Sequence, residues 1–375
     1  MHSCLLLILW FLIAQPGSSL DGRTVSGSIL DEETGNPVAF ASIYINNTTI
    51  ATISDEQGVF TLGNIPVPSQ LVISHVSYEP RTIQMAMDDL GKELTVWLKP
   101  RLHLMREVSI EDINRRAANL DYFKTEFLGF NPGGRRASIL NDSVLFFYRD
   151  SDSFIAQASG QLRIDLPETG YTLYVDLLKF EVTQMKDNDW HVSNRTYCYF
   201  EEYEVNLLKK RMFSRRRRWQ YYGSRMHFLR SFYDNTLLEN GFELYEILDY
   251  DEVRDRVAGI LQTPEENIYL SGNPVIERRL AVTGSDNYLT IGNMLDRVFT
   301  VSYYYHPVDF KPADLRYGRD HKDYCVESSY MEFLRDTVII SETGRLPDNS
   351  ILFKGDMSTA RFGSELPEDY FPDKR

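Results

Sequence analysis

Between Thr24 and about Leu98 the chain holds only short apolar-rich runs, and each ends in turn-forming residues. Val25–Leu30 meets Asp31-Glu-Glu-Thr-Gly35-Asn-Pro37. Val38–Ile45 then alternates, with Phe40, Ser42 and Tyr44 on one face and Ala39, Ala41, Ile43 and Ile45 on the other. A period of two marks a half-buried strand, because successive β-carbons leave opposite faces of a sheet. Asn46-Asn47-Thr48-Thr49 makes the next turn, and Ile50–Ser54, Gly58–Leu62, Leu71–Val76 and Leu94–Leu98 supply further strands. Strands at this spacing with no helical stretch predict an antiparallel sandwich of about 75–80 residues. Gly35 and Gly58 are placed for positive φ, where a β-carbon would clash, and Asp55 for starting a turn by accepting backbone N–H groups. A calcium loop would need the Asp-x-Asp-x-Asp density that Asp55-Glu56 lacks.

The strings Val25-Ser-Gly-Ser-Ile-Leu-Asp31-Glu-Glu-Thr-Gly35-Asn-Pro37-Val-Ala-Phe-Ala-Ser-Ile-Tyr44-Ile, Ile53-Ser-Asp55-Glu-Gln-Gly58-Val-Phe60 and Ile73-Ser-His-Val-Ser-Tyr78 occur in that order. They resemble the carboxypeptidase regulatory-like domain, a module abundant in exported proteins of Bacteroidetes-type bacteria. The resemblance implies a transthyretin-like, seven-stranded β-sandwich over residues 20–100. It also implies an accessory module without catalytic residues, found beside peptidases, outer-membrane receptors and other cargo. Leu102–Ile110 resembles the segment that leads from such a module into the plug of TonB-dependent receptors. A receptor barrel of about 22 strands would need several hundred residues more than these 375.

Residues 5–14 are ten apolar residues in a row, followed by Pro16, Gly17, Ser18 and Ser19. A short apolar core before small residues is the pattern of a signal peptide, expected to end at residue 19. The run is too short to span a bilayer, which takes about 20 apolar residues. Its n-region has no Lys or Arg, and Cys4 precedes the apolar run, which disfavours a lipoprotein signal. The expected location is the periplasm or the outer membrane. Export would leave Cys198 and Cys325, which could pair as a disulfide in an oxidising compartment or stand as two separate buried thiols.

Residues 101–122 read as a linker ending in a short helix, Glu111–Tyr122, with Ile113, Ala117 and Leu120 on one stripe. Residues 123–375 form a second, larger, β-rich α+β domain. Its strand signals are Ser143–Tyr148, Phe154–Ala158, Gln161–Ile164, Tyr171–Phe180, Tyr197–Tyr203, Leu289–Thr290, Arg297–Tyr305, Ser328–Phe333 and Thr337–Ser341. Met226–Asn240 is the clearest helix, with Ser224 as N-cap and Gly241 as stop. The fold class is therefore mainly β. Phe127-Leu-Gly129, Gly170–Phe180, Tyr222–Arg230, Gly355–Arg361 and Leu366–Tyr370 also resemble, more vaguely, an uncharacterised domain that follows the regulatory-like module. No activity comes with that likeness.

Seven histidines show no His-Glu-x-x-His or His-x-x-Glu pair, so a zinc peptidase is not supported. Gly-x-Ser-x-Gly and the phosphate-cradling glycine motifs are absent. Glu201-Glu202, Asp249/Asp251 and Glu265-Glu266 read as solvated acids rather than a glycosidase pair. No catalytic, cofactor-binding or metal residue is assigned, and no cofactor is expected. One segment departs from the overall charge of −14, which itself argues against nucleic acid as a partner. Val205–Arg230 carries nine cations and no acid. Arg215, Arg216, Arg217 and Arg218, with Trp219 beside them, could contact an anion such as a lipid headgroup or lipopolysaccharide phosphate. The plainer alternative is an exposed basic loop or strand neutralised by the protein's own acids. The reading these features support is a non-catalytic cell-envelope binding protein whose sandwich docks to an envelope protein or glycan. Two alternatives stay open: an envelope peptidase or glycosidase with its catalytic groups in residues 123–375, or an accessory factor of an outer-membrane TonB-dependent system.

Overall fold

The computed structural model describes residues 23–101, 113–149, 152–184, 190–247, 267–269, 282–285, 288–292, 294–295, 297–306, 311–313, 315, 324–346, 350–358 and 361–372. The expected signal peptide and most of the linker (102–112) lie outside the described residues.

Seven strands build the first unit: β1 (Val25–Asp31), β2 (Ser42–Ile45), β3 (Ala51–Ile53), β4 (Val59–Leu62), β5 (Ser69–Ser74), β6 (Arg81–Met85) and β7 (Glu93–Leu98). They form two sheets, in the orders β4-β1-β7 and β3-β2-β5-β6. One pairing departs from the antiparallel expectation: β1 and β7 run parallel over Ser26–Asp31. The chain reaches β7 only after crossing the other sheet, which returns it in the direction of β1. Between the sheets lie Val25, Ile29, Ile43, Phe60, Leu71, Ile73 and Val96, all at most 2% exposed. Gly35 and Gly58 both take φ near +73°. A β-carbon on Gly58 would stand 2.6 Å from the Ile29 carbonyl oxygen. Asp55 Oδ1 accepts from the N–H groups of Gln57 and Val59 at 2.9 and 2.8 Å, closing that turn. The Tyr78 hydroxyl donates to Asp31 Oδ2 at 2.7 Å and ties the β5–β6 connection to the end of β1. Burial and that carboxylate push Tyr78 up to about 12.

The linker helix is longer than its composition suggests. It runs as α1 (Ile113–Leu128) and carries Phe123 and Phe127 into the next core. After α2 (Pro132–Arg136) come β8 (Ser138–Ile139), β9 (Leu145–Arg149), β10 (Ser153–Ala158), β11 (Leu162–Leu166), β12 (Tyr171–Gln184) and β13 (Trp190–Glu202). Long β12 pairs with β13 along one edge and shares its other edge between β11 and β10. Phe123 and Phe127 pack on Phe180, and Phe127 stacks on Phe362 with centroids 4.3 Å apart. Burying each of these rings contributes about 2–3 kcal/mol, so the C-terminal segment is held by the middle unit's core.

The Arg-rich segment is a helix, α3 (Leu207–Tyr221), rather than a loop or strand. Asn206 caps it, its Oδ1 accepting from Lys209 N–H at 3.1 Å. Three residues, Tyr222, Gly223 and Ser224, lead to α4 (Arg225–Tyr233), capped by Ser224 as expected but ending before Asn240. Then follow β14 (Phe242–Ile247), β15 (Asn267–Tyr269), β16 (Val282–Ser285), β17 (Tyr288–Ile291), β18 (Val298–Tyr305), β19 (Cys325–Phe333), β20 (Val338–Ser341) and β21 (Ile351–Gly355). They make sheets of order β15-β14-β18-β19-β21 and β16-β17-β20. Among the described residues beyond 123 there are two large apolar clusters, one around Leu173 and Phe180 and one around Phe228, Phe299 and Phe353, and a small one of Tyr304, Ala313 and Leu315.

The sandwich is joined to the rest by more than its linker. Its β2–β3 turn inserts against β13 and the C-terminal segment. Asn47 N–H donates to Cys198 O at 2.7 Å, Phe200 N–H to Thr48 O at 2.9 Å and Glu368 N–H to Asn47 O at 2.7 Å. Beside this turn Asp176, 5% exposed, accepts from the Tyr44 hydroxyl (2.5 Å), the Ser74 hydroxyl (2.6 Å) and the Gln161 amide (3.0 Å). Cys198 is buried and its thiol donates to Asn47 Oδ1 at 3.0 Å. The structure therefore does not pair Cys198 with Cys325. Both are free, since the first is committed to the sandwich seam while the second begins β19 in another sheet.

Candidate ligand cleft

A cleft of about 540 Å³ opens where the three units meet. Asn47 from the sandwich, the α2 start, the α3–α4 corner, β19, the β21 exit and the C-terminal segment all contribute walls. The corner is shaped by Gly223, with φ +79°. A β-carbon there would meet the Tyr303 ring at 2.8 Å and Glu327 Oε2 at 3.1 Å, so the backbone lies directly against the carboxylate's strand. Gly223 N–H donates to His227 Nδ1 at 3.2 Å. That contact leaves the ring proton of neutral His227 on Nε2. Burial among Tyr221, Phe242 and Tyr303 lowers His227 to about 3, which keeps it uncharged.

Four carboxylates line the cleft. Glu365 lies 3.3 Å from Arg225, and Glu368 lies 3.7 Å from Arg345 while accepting from Asn47 Nδ2 at 3.1 Å. Burial nevertheless raises both carboxyls above the usual glutamate value. Glu327 and Asp356 form the acidic end. Burial raises Glu327, and the negative charge of Asp356 raises it further. Asp356 Oδ2 accepts from Ser328 N–H at 2.9 Å, which fixes it at the β21 exit. Tyr222 and Trp219 supply aromatic surface, and Asn131 and Gln220 supply amides. Such a surface can hold an uncharged, hydroxyl-rich ligand, with rings against its apolar faces and carboxylates accepting from its hydroxyls. Among the described residues no group of three or more His, Cys, Asp or Glu is arranged to hold a metal ion.

The predicted anion-contact residues do not act as a set. Arg217 is 7% exposed and faces inward, donating to Thr169 O at 2.7 Å and to Glu202 at 2.8 Å, with its guanidinium 3.9 Å over the Tyr171 ring. It is a structural brace and cannot reach a ligand. Arg216 lies 3.7 Å from Glu168, and Arg215 sits over the Trp219 ring at 4.9 Å. Arg218 is half-buried and Arg215 exposed. Trp219 also lines the cleft. The carboxylates of the cleft escape motif reading because 28 or more residues separate Glu327, itself far from Tyr222, from Asp356. Only the β19–β21 register, Ser329 opposite Gly355, brings that pair together. One signal was present: Glu327 shares strand parity with Ser329, Met331 and Phe333, so an acid stands on the inward face.

Residues 25–110 match the family model of the CarboxypepD_reg-like domain, and the first unit is such a domain. No curated protein sequence matches the chain. Among solved structures, a type II cohesin–X-dockerin complex from Acetivibrio cellulolyticus aligns at 22% identity and TM-score 0.19, over 21% of this chain and 58% of that one. The alignment therefore spans less than two thirds of that structure's own length. A candidate carbohydrate-binding protein from Bacteroides uniformis aligns at 8% identity and TM-score 0.18, over 49% of this chain and 99% of that one. A DUF3823 family protein from Bacteroides ovatus aligns at 8% identity and TM-score 0.17, over 48% and 96%.

Proposed function

We propose that this protein is an exported, non-catalytic binding protein of the cell envelope, and that its ligand is a glycan held in the three-unit cleft. The observation that carries the reading is the cleft itself, where aromatic rings, amides and carboxylates converge from the sandwich and both later units. The sandwich serves as one wall of the site. Its Asn46–Thr49 turn is occupied by its own chain, so any partner of the sandwich would use another face. The test is calorimetric titration of residues 20–375 with envelope oligosaccharides, peptidoglycan fragments and lipopolysaccharide core sugars included. The expected result is saturable binding, reduced at least tenfold in Tyr222→Ala and in Glu327→Gln. Absence of binding across the panel would overturn the glycan reading.

A glycosidase is the second reading, and the Glu327/Asp356 end of the cleft favours it, because a raised carboxyl beside a second carboxylate is the arrangement acid catalysis needs. Reducing-end release from the bound sugar, abolished in Glu327→Gln while binding persists, would select it over the binding-only reading.

A further inference from the structure

The outward face of α3 has the wrong chemistry for a helix that meets only water. At 100° per residue, Phe213, Arg217 and Tyr221 form the inner stripe, and all three are buried. Diametrically opposite run Leu208, Met212, Arg215 and Trp219. Leu208 is 75% exposed, Met212 40% and Trp219 42%, and neighbouring Leu207 is 65% exposed. The most outward line of a solvated helix is normally its most polar. Here that line is largely apolar, and cations flank it on both sides: Arg211 and Arg218 on one, Lys209 on the other. The helix contains no acid. Arg216 and Arg217 are held by Glu168 and Glu202, whereas Lys209, Lys210, Arg211, Arg215 and Arg218 have no acidic partner within 4 Å among the described residues.

From this arrangement we propose that α3 lies on the surface of an anionic phospholipid bilayer, with Leu208, Met212 and Trp219 entering the headgroup–acyl boundary. The flanking Lys and Arg side chains extend to lipid phosphates, their aliphatic stems following the apolar line outward. Charge complementarity selects the occupant. The whole chain is −14 and is repelled by an anionic surface except where this acid-free helix faces it. An acidic protein would satisfy the cations but would leave Leu208 and Met212 without purpose. The inference does not depend on what the cleft binds, although Trp219 also borders the cleft.

The experiment is co-sedimentation of residues 20–375 with vesicles of phosphatidylcholine alone and of phosphatidylcholine with phosphatidylglycerol. Brominated lipid then reports, by quenching, whether Trp219 enters the bilayer, with Trp219→Phe as the control for the other tryptophans. Binding is expected only to the anionic vesicles, falling with salt. Lys209→Glu/Arg211→Glu/Arg215→Glu should weaken it at least a hundredfold, at about fivefold per cation removed. Leu208→Ser/Met212→Ser, which leaves every charge in place, should weaken it at least tenfold and abolish the Trp219-dependent quenching. These positions are exposed, and unchanged circular dichroism and melting would show that the variants fold. No binding to anionic vesicles overturns the proposal. So does wild-type vesicle binding by Leu208→Ser/Met212→Ser, which would leave no role for insertion of the apolar line, or binding to polyglutamate as tight as to vesicles, which would assign the face to an acidic macromolecule.

Discussion

Asp176 is a buried carboxylate on which three neutral donors converge from two units, with the charge of Arg101 acting on it from beyond salt-bridge distance. Burial raises its pKa. Replacing it by Ala strands the Tyr44 and Ser74 hydroxyls and the Gln161 amide in the seam. Asp176→Ala is expected to lose about 2–4 kcal/mol of stability, read by urea titration. His227 sets a different dependence. Its folded value of about 3 lies below the ordinary 6.5, so between those limits the unfolded chain binds a proton that the native protein does not. Stability should therefore fall as pH drops from about 6.5 towards 3, by at most about 1.4 kcal/mol per pH unit from this group. Guanidinium melts at successive pH values should show that slope, and His227→Gln should flatten it. Both residues were opaque in the sequence. Asp176 lies on the face of β12 opposite Leu173, Val175 and Leu177, and nothing local announces that its three donors come from residues 15 to 132 positions away. His227 was legible only as one member of a capped helix.

The elements followed their local chemistry where that chemistry was self-sufficient. The alternation around Tyr44, the Asp55 turn and the Ser224 cap each state a period or a hydrogen bond that short-range residues complete. The first four strand signals were legible on that ground, whereas the signals Tyr171–Phe180 and Tyr197–Tyr203 caught only parts of β12 and β13, which run on to Gln184 and back to Trp190. By contrast, β14, β21 and α3 were not assigned from sequence. For α3 the reason is physical: seven cations in fifteen residues repel one another, and the segment reads as solvated loop until Arg217 finds Glu202, Thr169 and Tyr171 across the sheet. Arg217→Ala should therefore weaken the α3–sheet contact beyond the loss of one charge, because it empties a braced position and leaves the Thr169 carbonyl unpartnered by it. The expected cost is about 2–4 kcal/mol in chemical denaturation. Arg217→Lys should recover only part of it, since an ammonium cannot reproduce the planar fork. An equally stable Arg217→Ala protein would remove the brace from this account.

At the scale of the molecule, the cleft exists only because three units hold a fixed relation, and the Asn46–Thr49 turn carries most of the hydrogen bonds that fix the sandwich. Three main-chain hydrogen bonds, the Asn47 side-chain bonds to Cys198 and Glu368, and the Thr49–Asp369 contact cross at this turn, with Asp176 beside them. The sandwich resembles a separable module in sequence, and about 75–80 residues bury too small a fraction of their surface for large stability alone. If the seam couples it to the body, the two must melt together. Scanning calorimetry of residues 20–375 is expected to give one transition, with equal calorimetric and van't Hoff enthalpies over the whole chain. Asn47→Ala/Asp176→Ala removes the side-chain clasp while leaving each core intact. It should split that transition in two, with the small sandwich melting first and the 540 Å³ cleft losing its Asn47 wall before the rest unfolds. Ligand added to the double variant should then raise the upper transition less than it raises the single transition of the parent, because part of its binding energy would go into re-docking the sandwich. A double variant that still melts in one step would mean that the strands and apolar contacts, not this clasp, make the molecule one cooperative body.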